Sequence, residues 1–197
     1  VCLQTASSMK IPLKYGSGEH EFQLPPSAVE IRHIEPSNTV SRDRFKRDIH
    51  AYLYTMNRKV ETVGIVVSDK TRLSEFPVYL PLITEALEEH GFKKENITFY
   101  IAYGTHPRQT EEESLRAYGD TYRHYRFIHH DAREEALLET LGTTTRGTEV
   151  RIRRDLFDHD LLITFGAILH HYFAGFGGGR KLFFPGLAGY DSILYNH

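Results

Sequence analysis

Thr62-Val63-Gly64-Ile65-Val66-Val67 runs directly into Ser68-Asp69-Lys70-Thr71-Arg72. The first six residues read as an apolar strand, and the polar run behind them as the loop at its carboxyl end. The same order returns downstream. Ile97–Ala102 is an apolar strand followed by Tyr103-Gly104-Thr105-His106-Pro107, and Leu161–Phe165 is a short buried strand followed by Gly166-Ala167-Ile168-Leu169-His170-His171. Helical patterns lie between. Phe76–His90 places Leu80, Ile83 and Leu87 on one face and ends at Gly91, a C-cap. Thr110-Glu111-Glu112-Glu113 is a capping box that opens another helix. Tyr125–His129 reads as a strand, Arg133–Leu141 as a short helix and Val150–Ile152 as a further strand.

Strands alternating with helices predict an α/β fold with a mostly parallel sheet. Upstream, Ser41 is a candidate N-cap for a helix to about Asn57, with Phe45, Ile49, Tyr52 and Met56 at helical spacing. Ile11–Tyr15 and Glu21–Leu24 flank Gly16-Ser17-Gly18, a hairpin signal. Pro25-Pro26 ends the second run, and Val29–Ile34 is a third. The expectation is a Rossmann-like sheet with flanking helices and a small N-terminal β segment, forming one domain over residues 1–197. Ser192–His197 reads as the opening of a helix, so the chain is expected to be a fragment of a longer protein.

At 197 residues the chain is long enough to bury a core, and 40% hydrophobic with 25% charged residues is ordinary globular composition. A net charge of −2 offers no general basic surface for nucleic acid. No apolar run approaches the roughly 18 residues of a membrane span. Val1–Lys10 lacks the basic end and apolar core of a signal peptide. Cys2 is the single cysteine, so no disulfide can form within the chain and a cytoplasmic setting is expected. Twelve histidines are many for this length, and histidine transfers protons and binds metals near neutral pH.

In an open parallel sheet, ligands bind beyond the carboxyl ends of the strands. Three strand ends here deliver charged or histidine side chains towards one crevice: Asp69 and Arg72; His106; and the His170-His171 pair with the glycine run Gly177-Gly178-Gly179 and Arg180-Lys181. Loops are polar in any case, so each set also has a plain alternative. Asp69 and Arg72 could form a local ion pair with a capping aspartate. His106 could be a turn histidine bonded to backbone. Of His170 and His171, neighbours whose side chains diverge, at most one should face the site. His129-His130-Asp131 reads better as a partly buried structural cluster. The glycines could bring backbone amides close to a phosphate or form a flexible loop. They are not a Walker loop, since Arg180-Lys181-Leu182 follows them. Nor are they a dinucleotide fingerprint, because Arg180 takes the third glycine position. The apolar Phe183-Phe184-Pro185-Gly186 behind them suggests a lysine beside buried surface, where its pKa falls and its amine becomes a nucleophile.

Together these segments resemble the nickel-dependent lactate racemase family. The matches are Asp69-Lys70-Thr71-Arg72, Tyr103-Gly104-Thr105-His106, His130-Asp131 with Leu141-Gly142-Thr143, and above all His171-Tyr172-Phe173-Ala174-Gly175-Phe176-Gly177-Gly178-Gly179-Arg180-Lys181 running into Phe184-Pro185-Gly186 and Asn196-His197. The last segment is the specific one, and the resemblance covers the chain from about Pro12 onward. It implies racemisation or epimerisation of a small, lactate-like 2-hydroxy acid on a nickel-pincer nucleotide, a pyridinium mononucleotide whose sulfur and carbon atoms hold nickel. Lys181 matches the lysine that carries this cofactor, His197 the nickel-binding histidine, and His106 and His171 the acid–base pair. Asp69 and Arg72 match residues lining the cofactor and substrate site, beside Gly177, Gly178 and Gly179. A C-terminal domain of the same chain is expected to help close the site.

The chemistry implied is coherent. The α-hydrogen of a 2-hydroxycarboxylate is a poor acid, because its carboxylate is already anionic. Removing it as hydride while a base takes the hydroxyl proton avoids a dianion. Each enantiomer then needs its own base, and two histidines suit that task. Nickel(II) favours square-planar coordination, which three pincer atoms and one imidazole complete. Arg72 would hold the carboxylate. Two positions depart from the family pattern: Leu169-His170 stands where a proline is expected before the second histidine, and Arg180 replaces a small residue before the lysine. The competing expectations are a relative that binds a nucleotide or hydroxy acid without turnover, and a zinc hydrolase. The latter lacks any His-Glu-x-x-His motif.

Overall fold

The computed structural model describes residues 4–5, 10–30, 40–72, 74–171 and 174–196. The chain divides into two units, Val1–Val40 and Ser41–His197. The first unit holds β1 (Gln4–Thr5), β2 (Lys10–Tyr15), β3 (Gly18–Gln23) and β4 (Val29–Glu30). β2 and β3 form the expected hairpin, with Gly16 at φ +59°, a left-handed turn conformation that favours glycine. The third expected strand is present as β4, and its continuation to Ile34 lies outside the described residues.

In the second unit, Ser41 caps α1 (Arg42–Tyr54), its Oγ accepting the Arg44 N–H at 3.2 Å. There follow β5 (Val63–Ser68), α2 (Phe76–Glu89), β6 (Ile97–Ala102), α3 (Glu111–Tyr118), α4 (Asp120–His124) and β7 (Arg126–His129). Then come β8 (Leu138–Thr143), β9 (Glu149–Arg153), β10 (Leu161–Phe165), β11 (His170–His171), β12 (Gly175–Phe176) and α5 (Tyr190–Asn196). The predicted capping box is present at Thr110 and Glu113. β5, β6, β7 and β10 make a parallel sheet in the order β10-β5-β6-β7.

Every residue of β5 and β6 is buried, because both faces of the sheet are covered. Val63, Ile65, Val67, Phe99 and Ile101 join Leu53, Phe76, Leu80, Ile83, Leu87 and Tyr118 from the helices in one core. Val66, Tyr100 and Ala102 face the other way and meet Ile152, Leu156, Leu182 and Leu187. That alternation explains why the strands read as continuous apolar runs. No helix among the described residues is long and apolar enough to cross a membrane.

One expected helix is absent. Arg133–Leu141 contains only a 3-10 turn, Glu135–Leu137, which gives way to β8. β8 pairs antiparallel with β9, Leu138 opposite Arg153, with an irregularity between Thr140 and Gly142. Helix-favouring residues yield here to strand pairing and to burial of Leu138. The C-terminal helix forms, but starts earlier than the sequence suggests. Tyr190 N–H donates to the Ala132 carbonyl at 2.8 Å, and Ser192 Oγ donates to the Glu149 carbonyl at 2.6 Å.

Candidate active site

The chain passes from β5 through β6 to β7 on one side and returns to β10 on the other side of β5. The loops leaving β5 and β10 therefore diverge, which opens a crevice at this switch point. A cleft open to solvent lies there. Asp69, Arg72, His106, His170, His171 and Lys181 all border it, with Gly177 and Gly178. The three loops singled out in the sequence thus meet.

Asp69 is 3% exposed. Its Oδ1 accepts the Thr71 N–H at 3.0 Å and the Thr71 hydroxyl at 2.6 Å, and its Oδ2 lies 2.6 Å from His106 Nδ1. Thr71 locks the carboxylate, and the carboxylate locks the imidazole. A carboxylate can only accept, so His106 carries a proton on Nδ1 and presents Nε2 to the cleft. The alternative of a side-chain ion pair between Asp69 and Arg72 does not describe this arrangement. Arg72 meets Asp69 through backbone, its N–H donating to the Asp69 carbonyl at 3.2 Å.

Lys181 stands on a 3-10 turn, Gly179–Leu182, behind the glycine run. Burial first, and the positive charge of Arg72 second, hold its amine below the usual lysine pKa. This matches the expectation of a lysine beside apolar surface. Gly177 and Gly178 lie against the loop after β10. Gly177 N–H is taken by the Leu169 carbonyl at 2.7 Å. Gly178 has φ +78°, and a Cβ there would lie 2.6 Å from the Ala167 carbonyl oxygen. Gly179, also left-handed at φ +51°, opens the lysine turn. Gly186 is pressed still harder, since a Cβ there would collide with the Leu182 carbonyl oxygen. Its own carbonyl accepts the Gly104 N–H at 2.9 Å, which ties this turn to the His106 loop.

β11 and β12 form a two-stranded ribbon on which both His170 and His171 border the cleft, not one of them as expected. They differ in their partners. The His170 ring lies 5.0 Å from that of Phe176, its cross-strand neighbour. His171 Nδ1 accepts the Ala174 N–H at 3.3 Å, which puts the proton of its neutral form on Nε2. His130 is structural, as expected: it is buried and its Nε2 donates to the Ala188 carbonyl at 3.0 Å. His197 lies outside the described residues. Among those residues, no three His, Cys, Asp or Glu side chains gather as a metal site.

Two cleft residues were not singled out from sequence. Ser68 ends β5 with its Oγ buried and without a hydrogen-bond partner among the described residues. Tyr103 is buried at the end of β6, and desolvation pushes its phenol pKa up. Both were quoted as parts of loops, yet neither residue type carries a signal of its own without the fold.

A family model described as the lactate racemase N-terminal domain matches residues 15–197. The chain belongs to this family. Among its relatives, the lactate racemase of Thermoanaerobacterium thermosaccharolyticum is 31% identical over 198 residues, covering 95% of this chain and 46% of the relative. That of Lactiplantibacillus plantarum is 31% identical over 146 residues, covering 74% and 34%. The solved lactate racemase apoprotein from T. thermosaccharolyticum superposes with a TM-score of 0.74 at 30% identity, over 94% of this chain and 45% of the other. A Thermotoga maritima protein shares the fold, with a TM-score of 0.66 at 22% identity over 80% and 42% of the two chains. This lactate racemase N-terminal domain spans less than half the length of the curated relatives it matches.

Proposed function

We propose that this chain carries the acid–base histidines and the cofactor lysine of a racemase or epimerase acting on a small 2-hydroxy acid. The supporting observation is the meeting, in one cleft, of a carboxylate-oriented histidine, a second histidine and a lysine with a depressed pKa.

The residues present fit the nickel-pincer nucleotide of the family. A lysine whose amine is more often neutral is a nucleophile able to hold a cofactor covalently, and Ser68 Oγ is a buried polar group still lacking a partner at the cleft. Asp69 and Arg72 line the same space, and His197 would supply the imidazole for nickel. When bound, the cofactor supplies an electron-poor pyridinium as hydride acceptor. The chain's own residues manage the proton and the orientation. His106 takes the hydroxyl proton on Nε2, while Nδ1–H to Asp69 stabilises the imidazolium that results. His171 is the complementary group for the opposite hydroxyl position: once its ring releases the Ala174 N–H, Nδ1 can take a proton and Nε2 can exchange one with the substrate, and the roles exchange for the other enantiomer. Arg72 holds the substrate carboxylate. A further domain of the same protein would exclude water from this cleft, and the cytoplasm is the proposed setting.

The test uses the full-length protein made alongside a cofactor-synthesis pathway. Inversion of both D- and L-2-hydroxy acids is expected, with nickel in the purified protein and added mass on the peptide containing Lys181. Full activity with unmodified Lys181 would remove its role. Ligand binding without inversion would leave the chain as a non-catalytic relative.

A further inference from the structure

We propose that His129 is a positioning residue for His106: through the Tyr103 hydroxyl it fixes the loop on which His106 stands, and it does so only while its imidazole is neutral. This rests on His106 being an acid–base group, as read above. His129 ends β7 and is not among the cleft-lining residues.

Hydrogen-bond directions fix its state. The Tyr122 hydroxyl lies 2.9 and 3.0 Å from the two carboxylate oxygens of Glu111. Its one proton goes there, so its oxygen accepts from His129 Nε2–H at 3.0 Å. Nδ1 of His129 is then bare. The Tyr103 hydroxyl donates to it at 2.8 Å and accepts the Gln109 N–H at 3.3 Å. Every bond in this chain agrees with a single neutral tautomer.

The link to His106 is short. His106 lies between Tyr103 and Gln109, and its own N–H donates to the Tyr103 carbonyl at 3.0 Å. The bond from Gln109 to the Tyr103 hydroxyl closes that segment into a loop. Gln109 is buried, and its Oε1 accepts the Lys70 N–H at 3.0 Å, beside Asp69. One network therefore holds both partners of the Asp69–His106 bond.

A second proton on His129 would turn Nδ1 into a donor. The Tyr103 oxygen would then face two N–H groups, while its own buried proton lost its acceptor. Four groups face this imidazole: Tyr103 and Arg108 from the loop after β6, Tyr122 from α4 and Glu111 from α3. Burial and Arg108 disfavour the cation and outweigh Glu111, which holds His129 below the ordinary histidine pKa. The network is thus intact at neutral pH and fails on acidification below the usual histidine range.

The experiment is proton NMR of the full chain without ligand, following the downfield Nδ1–H resonance of His106 in its bond to Asp69. Tyr103→Phe and His129→Leu should broaden or abolish it. His129→Gln should keep it, because its amide oxygen takes the Tyr103 proton and its NH2 group serves Tyr122. This variant should also retain the resonance at acid pH values where the wild type loses it. Tyr122→Phe, a milder change, should weaken it and stands in if the buried variants fail to fold by circular dichroism. The same resonance with the same pH course in the wild type, His129→Gln and folded Tyr122→Phe would overturn the role. In the loaded enzyme, Tyr103→Phe should lower kcat by about 10–100-fold with little change in KM. The expected resonance pattern in a loaded protein that inverts nothing would refute the racemase reading and leave the positioning role in place.

Discussion

His106 and His171 reach the cleft by different means, and their variants should separate binding from proton transfer. His106 is held by a buried carboxylate 2.6 Å away, whereas His171 is held by a backbone amide of its own turn. His106→Ala and His171→Ala should each lower inversion by about 10²–10⁴-fold, the usual contribution of a general acid or base, while nickel stays bound. His170→Ala should cost less, because its ring packs on Phe176. Steady-state assays with both enantiomers and metal analysis check this, and an indispensable His170 beside a dispensable His171 would reverse the assignment. The sequence places all three histidines in polar loops behind strands. It does not reveal that Asp69 pairs with His106 and not with Arg72, because that choice depends on the neighbouring loops after β5 and β6 being brought together by the sheet.

Capping and periodicity made α1, α2 and the start of α3 legible, and two-sided burial made the central strands legible, while α4 carried no such signal. The capping box of α3 is complete, with Thr110 Oγ1 accepting the Glu113 N–H at 3.2 Å and Glu113 Oε2 accepting the Thr110 N–H at 2.8 Å. Thr110→Ala should therefore cost about 1 kcal/mol of stability in urea unfolding. It should also slacken the loop between β6 and α3, since Ser114 Oγ links the Thr110 carbonyl to buried Gln109. β8 was not legible for the opposite reason. Ala136, Leu137 and their acidic neighbours favour a helix locally, while the pairing with β9 that overrides them comes from residues beyond Gly147. The ribbon of β11 and β12 was missed because each strand has only two residues, too few for any alternation to register.

Three histidines, His129, His130 and His159, are held below the ordinary histidine pKa, in each case chiefly by burial. The sign of the stability effect follows. Their folded pKa values lie below the unfolded value of roughly 6.5, so the folded chain binds fewer protons in that window. The stability they contribute is fully present above about pH 6.5 and is lost as pH falls towards their folded values. Each adds at most ~1.4 kcal/mol per pH unit while it is protonated only in the unfolded chain. Thermal melts should accordingly show Tm falling between about pH 6.5 and 5, and a flat Tm over that span would contradict the burial of these groups. The sheet order has a temporal consequence as well. β10 joins the sheet by pairing Leu161 with Val63, across the whole length of chain that builds β6 to β9. Closing so long a loop costs entropy before any contact rewards it. On the ribosome, β5 to β7 can emerge and associate first, but the crevice needs both of its banks. A nascent chain thus has its His106 loop well before it has the opposite bank, and the cleft is complete only once β10 and the segment from His170 to Lys181 behind it have joined.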